Sequence, residues 1–203
     1  MTSNYGEDLA FLGWIALSLG SNPLVPYVPT RPELIPKILE LLELKEGDVF
    51  YDLGCGDGRV VIEAAKRYPL KKAVCVETRE DLIKEARRKA EDNSVSEIIE
   101  FVNNDFFKVD ISEATAVYMY LLTSVNESLR PKLGRELKEG ARIVTLDFPI
   151  PGWKPVRVET ATSGWQRSLY LYVKGVSDSG SREEKEGGRR RTETRRFQYH
   201  DIL

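Results

Sequence analysis

Asp52-Leu53-Gly54-Cys55-Gly56-Asp57-Gly58-Arg59 is the segment best equipped for chemistry by residue type and spacing. Three glycines at alternate positions let a ligand approach the backbone more closely than a Cβ would permit. A helix beginning near Arg59 would aim its unpaired N–H groups and positive dipole end at an anionic ligand group. The spacing separates ligand classes. A dinucleotide fingerprint, G-x-G-x-x-G, needs its third glycine where Arg59 stands, which speaks against a nicotinamide oxidoreductase. No G-x-x-x-x-G-K-[ST] occurs, so a triphosphate loop of that type is excluded. What is present is acidic-x-G-x-G-x-G. Two further features follow at regular places. Glu77 ends the next apolar run, where a carboxylate can accept both ribose hydroxyls of an adenosine. Asn103-Asn104-Asp105-Phe106-Phe107 ends the one after, combining amide, carboxylate and aromatic ring in a way that suits adenine.

These residues need elements to hold them. Thr30-Arg31-Pro32-Glu33 reads as a capped helix start, followed by Leu34, Ile35, Ile38, Leu41, Leu42 and Leu44 at helical spacing. Val49 to Leu53 is a strand, and Val60, Val61, Ala64, Ala65 and Tyr68 share a helical face. Ala73 to Val76 is the next strand, and Thr78 with Asp81 caps a helix carrying Leu82, Ile83, Ala86 and Ala90. Strands are predicted at Ile98–Val102, Ala116–Tyr120 and Arg142–Leu146, with a helix around Leu129–Leu137. Two late strands, near Val156–Glu159 and Ser168–Val173, are joined by a loop over Thr160–Gln166, so the last is expected to be antiparallel. Strands alternating with helices and buried as continuous apolar runs define an α/β fold, a mostly parallel sheet with helices on both faces.

Composition bounds the rest. At 203 residues the chain is one domain plus limited extras. Lys+Arg 30 against Asp+Glu 32 leaves no whole-chain case for nucleic-acid or membrane binding. A single His excludes a His-built metal cluster, and two Cys exclude a disulfide scaffold. Cys55 and Cys75 read as small packing residues in a loop and a strand. Scarce Gln with abundant Lys, Arg and Glu points to a heat-adapted source. Leu9–Leu19 is an apolar run of 11 residues, about 16 Å as a helix and half of a bilayer core. Residues 1–29 are read as an apolar segment packing on or over the site, with a membrane-surface anchor as the alternative. Residues 30–175 form the domain, and 176–203 a mobile polar tail. In that tail Gly187–Arg196 has five Arg and one Glu, and a basic arm for RNA, membrane or a partner protein is the alternative.

Asp52-to-Gly58, Glu77 and Asp105 resemble the pattern of the Rossmann-like, seven-strand S-adenosylmethionine-dependent methyltransferases over roughly residues 30–174. The resemblance implies that Asp52, Gly54, Gly56 and Gly58 cradle the methionine part and that Glu77 holds the ribose. It implies adenine contacts from Asn104, Asp105 and Phe106. Three flanking segments, Pro26–Thr30, Tyr120–Asn126 and Asp147–Trp153, are similar to those of archaeal protein-lysine methyltransferases. Those in turn resemble mitochondrial enzymes that methylate a lysine of the ATP synthase rotor subunit. On that likeness Tyr27 and Thr30 join the cofactor site. Methyltransferases of exocyclic base nitrogens usually carry Asn/Asp-Pro-Pro-aromatic where this chain has Tyr120-Leu121-Leu122, which argues against base flipping. A Tyr-lined mouth suits lysine, whose stem packs on rings and whose ammonium meets their faces. Tyr120 and Asp147 are the catalytic candidates, Asp147 as a group that orients the amine or a water. The expectation is a monomeric cytoplasmic enzyme acting on lysine-bearing proteins, with S-adenosylmethionine as cofactor and no metal. Methylation of RNA or a small molecule, and an inactive cofactor-binding scaffold, stay open as alternatives.

Overall fold

The computed structural model describes residues 27–179. The apolar run at 9–19 and the Arg-rich stretch at 187–196 lie outside them. Strands whose central members are buried along their whole length build a seven-stranded sheet of β1 (Val49–Leu53), β2 (Lys72–Glu77), β3 (Ile99–Asn103), β4 (Ala116–Met119), β5 (Arg142–Leu146), β6 (Arg157–Ser163) and β7 (Trp165–Val173). Their spatial order is β3-β2-β1-β4-β5-β7-β6. The first five strands pair in parallel, while β7 runs antiparallel to both β5 and β6. Strand order reverses between β1 and β4, and open α/β sheets bind ligands beyond the carboxyl ends of the strands at such a point.

Successive strand residues face opposite layers. Phe50, Ala73, Tyr118 and Val144 point toward α1 (Ile35–Leu42), α2 (Arg59–Arg67) and α3 (Glu80–Asp92). Tyr51, Val74, Val117 and Ile143 face α4 (Thr123–Glu136) and the 104–115 connection, which is not a helix and buries Ile111 and Ala114. In α1 the spacing seen in the sequence is that of its buried stripe, Ile35, Ile38, Leu39, Leu41 and Leu42. Each such side chain contributes about 1.5–3 kcal/mol. Gly164 alone turns β6 into β7, so both strands run longer than their apolar residues indicate. The intervening Thr160–Gln166 is ladder rather than loop, because an edge strand wet on one side carries polar residues.

The two capping boxes do not form. Arg31 precedes a short 3-10 turn at Pro32–Leu34 without a side-chain cap, and Arg79 stands at the start of α3 in the same way. Thr30 instead bonds Tyr118, Glu33 accepts from Ser163, and Thr78 donates to Glu77. Tertiary partners displace the first cap, and the adjacent Glu77 carboxylate takes the Thr78 hydroxyl from the second.

Candidate active site

Four strand ends and the segment before α1 enclose a cavity of about 380 Å³. Its floor is the β1–α2 turn. The N–H groups of Gly54 and Cys55 both donate to the Val76 carbonyl at the end of β2, clamping the turn to the neighbouring strand. Gly56 has φ +56°, and a Cβ there would lie 2.5 Å from the Tyr27 ring, so the ring closes over the turn only because residue 56 is glycine. The Gly56 N–H donates to Glu77 Oε2 at 3.1 Å, and the N–H groups of Thr78 and Arg79 donate to Glu77 Oε1 at 2.8 and 3.0 Å. Three backbone donors thus hold the carboxylate at the cavity wall. Arg79 completes the roof by lying 5.6 Å from the Tyr27 ring centre.

Asp52, Asp57, Glu77 and Asp105 all line the cavity, and they are not equally compensated. Burial opposes charge on Asp57, but Arg59 (2.7 Å) and Lys89 (2.6 Å) outweigh it and bring its carboxyl down to about 2. Arg59 also donates to the Thr30 carbonyl at 3.0 Å, fixing the segment that carries Tyr27. Asp52 has no such partner. Its Oδ2 is buried without a hydrogen bond, and burial first, then the charges of Glu77 and Asp57, push its carboxyl well above the usual range. The third N–H of α2, from Val61, works the other way. A buried orphan carboxylate beside a second carboxylate matches a cationic ligand.

Of the residues singled out in the sequence, Tyr27, Thr30, Asp52, Gly54, Gly56 and Glu77 line this one cavity. Asp105, Phe106 and Tyr120 join them from the ends of β3 and β4. Three do not. Gly58 caps α2, and a Cβ there would meet Ala86 at 2.8 Å, so this glycine serves the contact between α2 and α3. Asn104 turns its side chain back to the Asp105 N–H and lines a separate hollow with Tyr51 and Lys72. Asp147 stands behind Tyr120, off the wall, paired with Arg167.

The cysteines require a correction. Cys55 of the turn and Cys75 of β2 are joined in a disulfide rather than packing as two small residues. The turn and β2 are already clamped together, which brings the two Cα atoms to 5.3 Å. Arg59, Thr78, Arg79 and Arg167 have no role at the site in the sequence reading. Charged and hydroxyl residues beside a glycine turn carry no periodic signal. Arg167 meets Tyr120 across two strand crossings, with no motif to mark the pair.

The sheet order and the cavity at its reversal point suit an S-adenosylmethionine-dependent methyltransferase, and the family model, a relative and a solved structure place this enzyme in that class. The chain belongs to the ANTKMT methyltransferase domain family, whose model matches residues 52–157. A protein-lysine N-methyltransferase of Saccharolobus islandicus is 49% identical over 154 residues, covering 75% of this chain and 96% of that one. The adenine nucleotide translocase lysine N-methyltransferase of Mus musculus is 37% identical over 134 residues, 66% of this chain, which spans 58% of the mouse protein. Among solved structures, an RNA methyltransferase from Salinibacter ruber in complex with S-adenosyl-L-homocysteine superposes with a TM-score of 0.68. It is 42% identical, and the match covers 72% of this chain and 93% of that one. A precorrin-6y C5,15-methyltransferase from Geobacter metallireducens, 16% identical at a TM-score of 0.63, shares the fold.

Proposed function

We propose that this enzyme methylates the side-chain amine of lysine in proteins. The observation that carries the reading is Tyr120, a half-buried tyrosine just beyond β4 on the cavity wall, which opens the Tyr120-Leu121-Leu122 stretch where a base-methylating enzyme would have Asn/Asp-Pro-Pro. The two lysine-methylating relatives named above support it.

The residues fit S-adenosylmethionine. Asp52 and Glu77 provide negative charge for a ligand that carries a sulfonium and an ammonium. Gly54 and Gly56 leave room for its methionine part, and Asp105 with Phe106 offers a polar edge and a flat face for adenine. When bound, S-adenosylmethionine would supply an electrophilic methyl group, its C–S bond breaking to a neutral thioether as the N–C bond forms. The chain's task is to deliver a neutral amine in line. Lysine with a pKa near 10.4 is only about 0.04% neutral at pH 7, a cost of about 4.6 kcal/mol. Tyr118, Tyr120 and Phe107 around the cavity exclude water and disfavour the ammonium by desolvation. Alignment of the reacting atoms supplies roughly 7–11 kcal/mol more. Tyr120 presents a hydroxyl at the mouth to hold the amine, while Asp147, off the cavity wall, pairs with Arg167.

The test is incubation with methyl-tritiated S-adenosylmethionine and a cell lysate, beside Asp52→Ala. The expected result is label on protein bands, mapped to lysine by mass spectrometry and absent with the variant. An RNA acceptor is the second reading, favoured by the 42% identity to the Salinibacter ruber RNA methyltransferase. Label confined to RNA would replace the lysine reading with that one.

A further inference from the structure

Both rings of one aromatic pair stand on backbone that the sheet does not hold. The β4 ladder ends at Met119, one residue short of Tyr120, and β5 ends at Leu146, two short of Phe148. The Phe148 ring nevertheless stacks on Tyr120 at 6.0 Å with an interplanar angle of 25°. The stretch after Phe148 contains Pro149 and Pro151, which have no N–H with which to join a ladder. Its carbonyls are held from α4 instead. Asn126 and Arg130 stand four apart on one face of that helix. The Asn126 Nδ2 donates to the Phe148 carbonyl at 2.9 Å and to that of Pro149 at 3.4 Å, and Arg130 donates to the carbonyl of Pro151. The same Nδ2 donates at 3.3 Å to the carbonyl of Leu121, the residue directly after Tyr120. One amide thus ties the backbone that follows β4 to the backbone that follows β5.

Asn126 is fully buried, and its Oδ1 has no hydrogen-bond partner among the described residues. Its helix neighbours Val125 and Leu129 belong to the apolar core, where a buried orphan acceptor is costly and a leucine would pack without one. All three partners of the amide are carbonyls, which only accept, so its nitrogen is the half that serves. What the amide gains over an apolar side chain is the link between the two loops. We propose that Asn126 is a positioning residue for methyl transfer. By holding Leu121 and Phe148 together, it sets the Tyr120–Phe148 pair as the wall against which the lysine stem lies. Amine nitrogen, methyl carbon and sulfur must align, and a shift of about 1 Å can cost about 100-fold in rate.

The inference rests on the lysine reading, and the experiment separates the two. The acceptor is the lysine protein most strongly labelled in the lysate. Absence of any labelled lysine protein counts against the earlier reading, and the wall is then judged by spectroscopy alone. Asn126→Leu keeps the shape and removes the donors. It is expected to lower kcat about 10- to 100-fold, with KM changing less. S-adenosylhomocysteine affinity by calorimetry should stay within about twofold, since Asn126 is off the cavity wall. Phe148→Leu should lower kcat about tenfold. The double variant should be no worse than Asn126→Leu alone, within about twofold, because both act through one ring pair. Losses that multiply in the double variant would overturn the proposal, as would a fall in cofactor affinity that matches the fall in rate. Near-ultraviolet circular dichroism gives a readout without turnover. Asn126→Leu should alter the tyrosine band, and the difference should vanish in a Tyr120→Phe background. A difference that persists there excludes Tyr120 as the group Asn126 positions. Phe148→Leu, which leaves α4 intact, should alter the same band, and an unaltered band overturns the proposal even where Asn126→Leu does not fold.

Discussion

Asp52 keeps one carboxylate oxygen buried without a partner, and its carboxyl is raised chiefly by burial. The folded protein therefore holds this proton to higher pH than the unfolded chain does. Stability is lost as pH climbs from the ordinary carboxylate range, near 3.9, through the folded value. Asparagine removes that loss and still accepts from the Val61 N–H. Asp52→Asn is thus expected to raise the melting temperature of the ligand-free protein at pH 7, while weakening S-adenosylhomocysteine at least tenfold (roughly 1.4 kcal/mol). Scanning and titration calorimetry on one preparation test both halves, and equal melting temperatures would remove the electrostatic argument. Gly56→Ala isolates a steric effect at the same site. Its Cβ would meet the Tyr27 ring at 2.5 Å, whereas Gly47, also at positive φ, has nothing within 4 Å. Gly56→Ala and Gly47→Ala both incur the left-handed backbone cost of about 1–2 kcal/mol. Only Gly56→Ala is expected to weaken the ligand, about tenfold, by displacing the ring.

Among the elements, the link between the β1–α2 turn and β2 is covalent as well as hydrogen-bonded. A cross-link between residues separated by 20 in the chain restricts the unfolded ensemble by about 3 kcal/mol. For a domain of this size that corresponds to roughly 6–12 °C in melting temperature. Cys55→Ala with Cys75→Ala should show such a fall, and a reducing agent should lower the parent's midpoint without moving that of the double variant. This pair also marks a limit of sequence reading. β1 to β5 were legible because each is a nearly continuous apolar run, and the turn because its glycines and Asp52 share one short window. The disulfide was not, since two cysteines in separate elements say nothing of their distance until the turn is seen folded back on β2. Gly58 and Asn104 belong to recognisable segments, yet the backbone sends them to helix packing and to another hollow. Arg167 required knowing that β7 lies beside β5, a pairing set by topology.

The molecule as a whole carries nearly balanced charge, so its acid response depends on individual carboxylates. Asp57, lowered to about 2 by Arg59 and Lys89 against the opposing effect of burial, is the sharpest case. Its contribution is complete above the unfolded value, near 3.9, and is lost as pH falls toward about 2. Allowing for solvent screening, Asp57→Asn should remove about 1–2 kcal/mol at pH 7 and flatten the stability profile between pH 4 and 2. Chemical denaturation at several pH values tests this, and a parallel offset at every pH would contradict it. The same turn that carries Asp57 carries half of the cystine. Binding equilibria that share a structural element are reciprocal: if closing the cross-link changes the grip on the cofactor by some factor, the cofactor shifts the thiol–disulfide balance by that same factor. Methyl-donor supply and the oxidation state of the surrounding thiol pool thus meet in one loop.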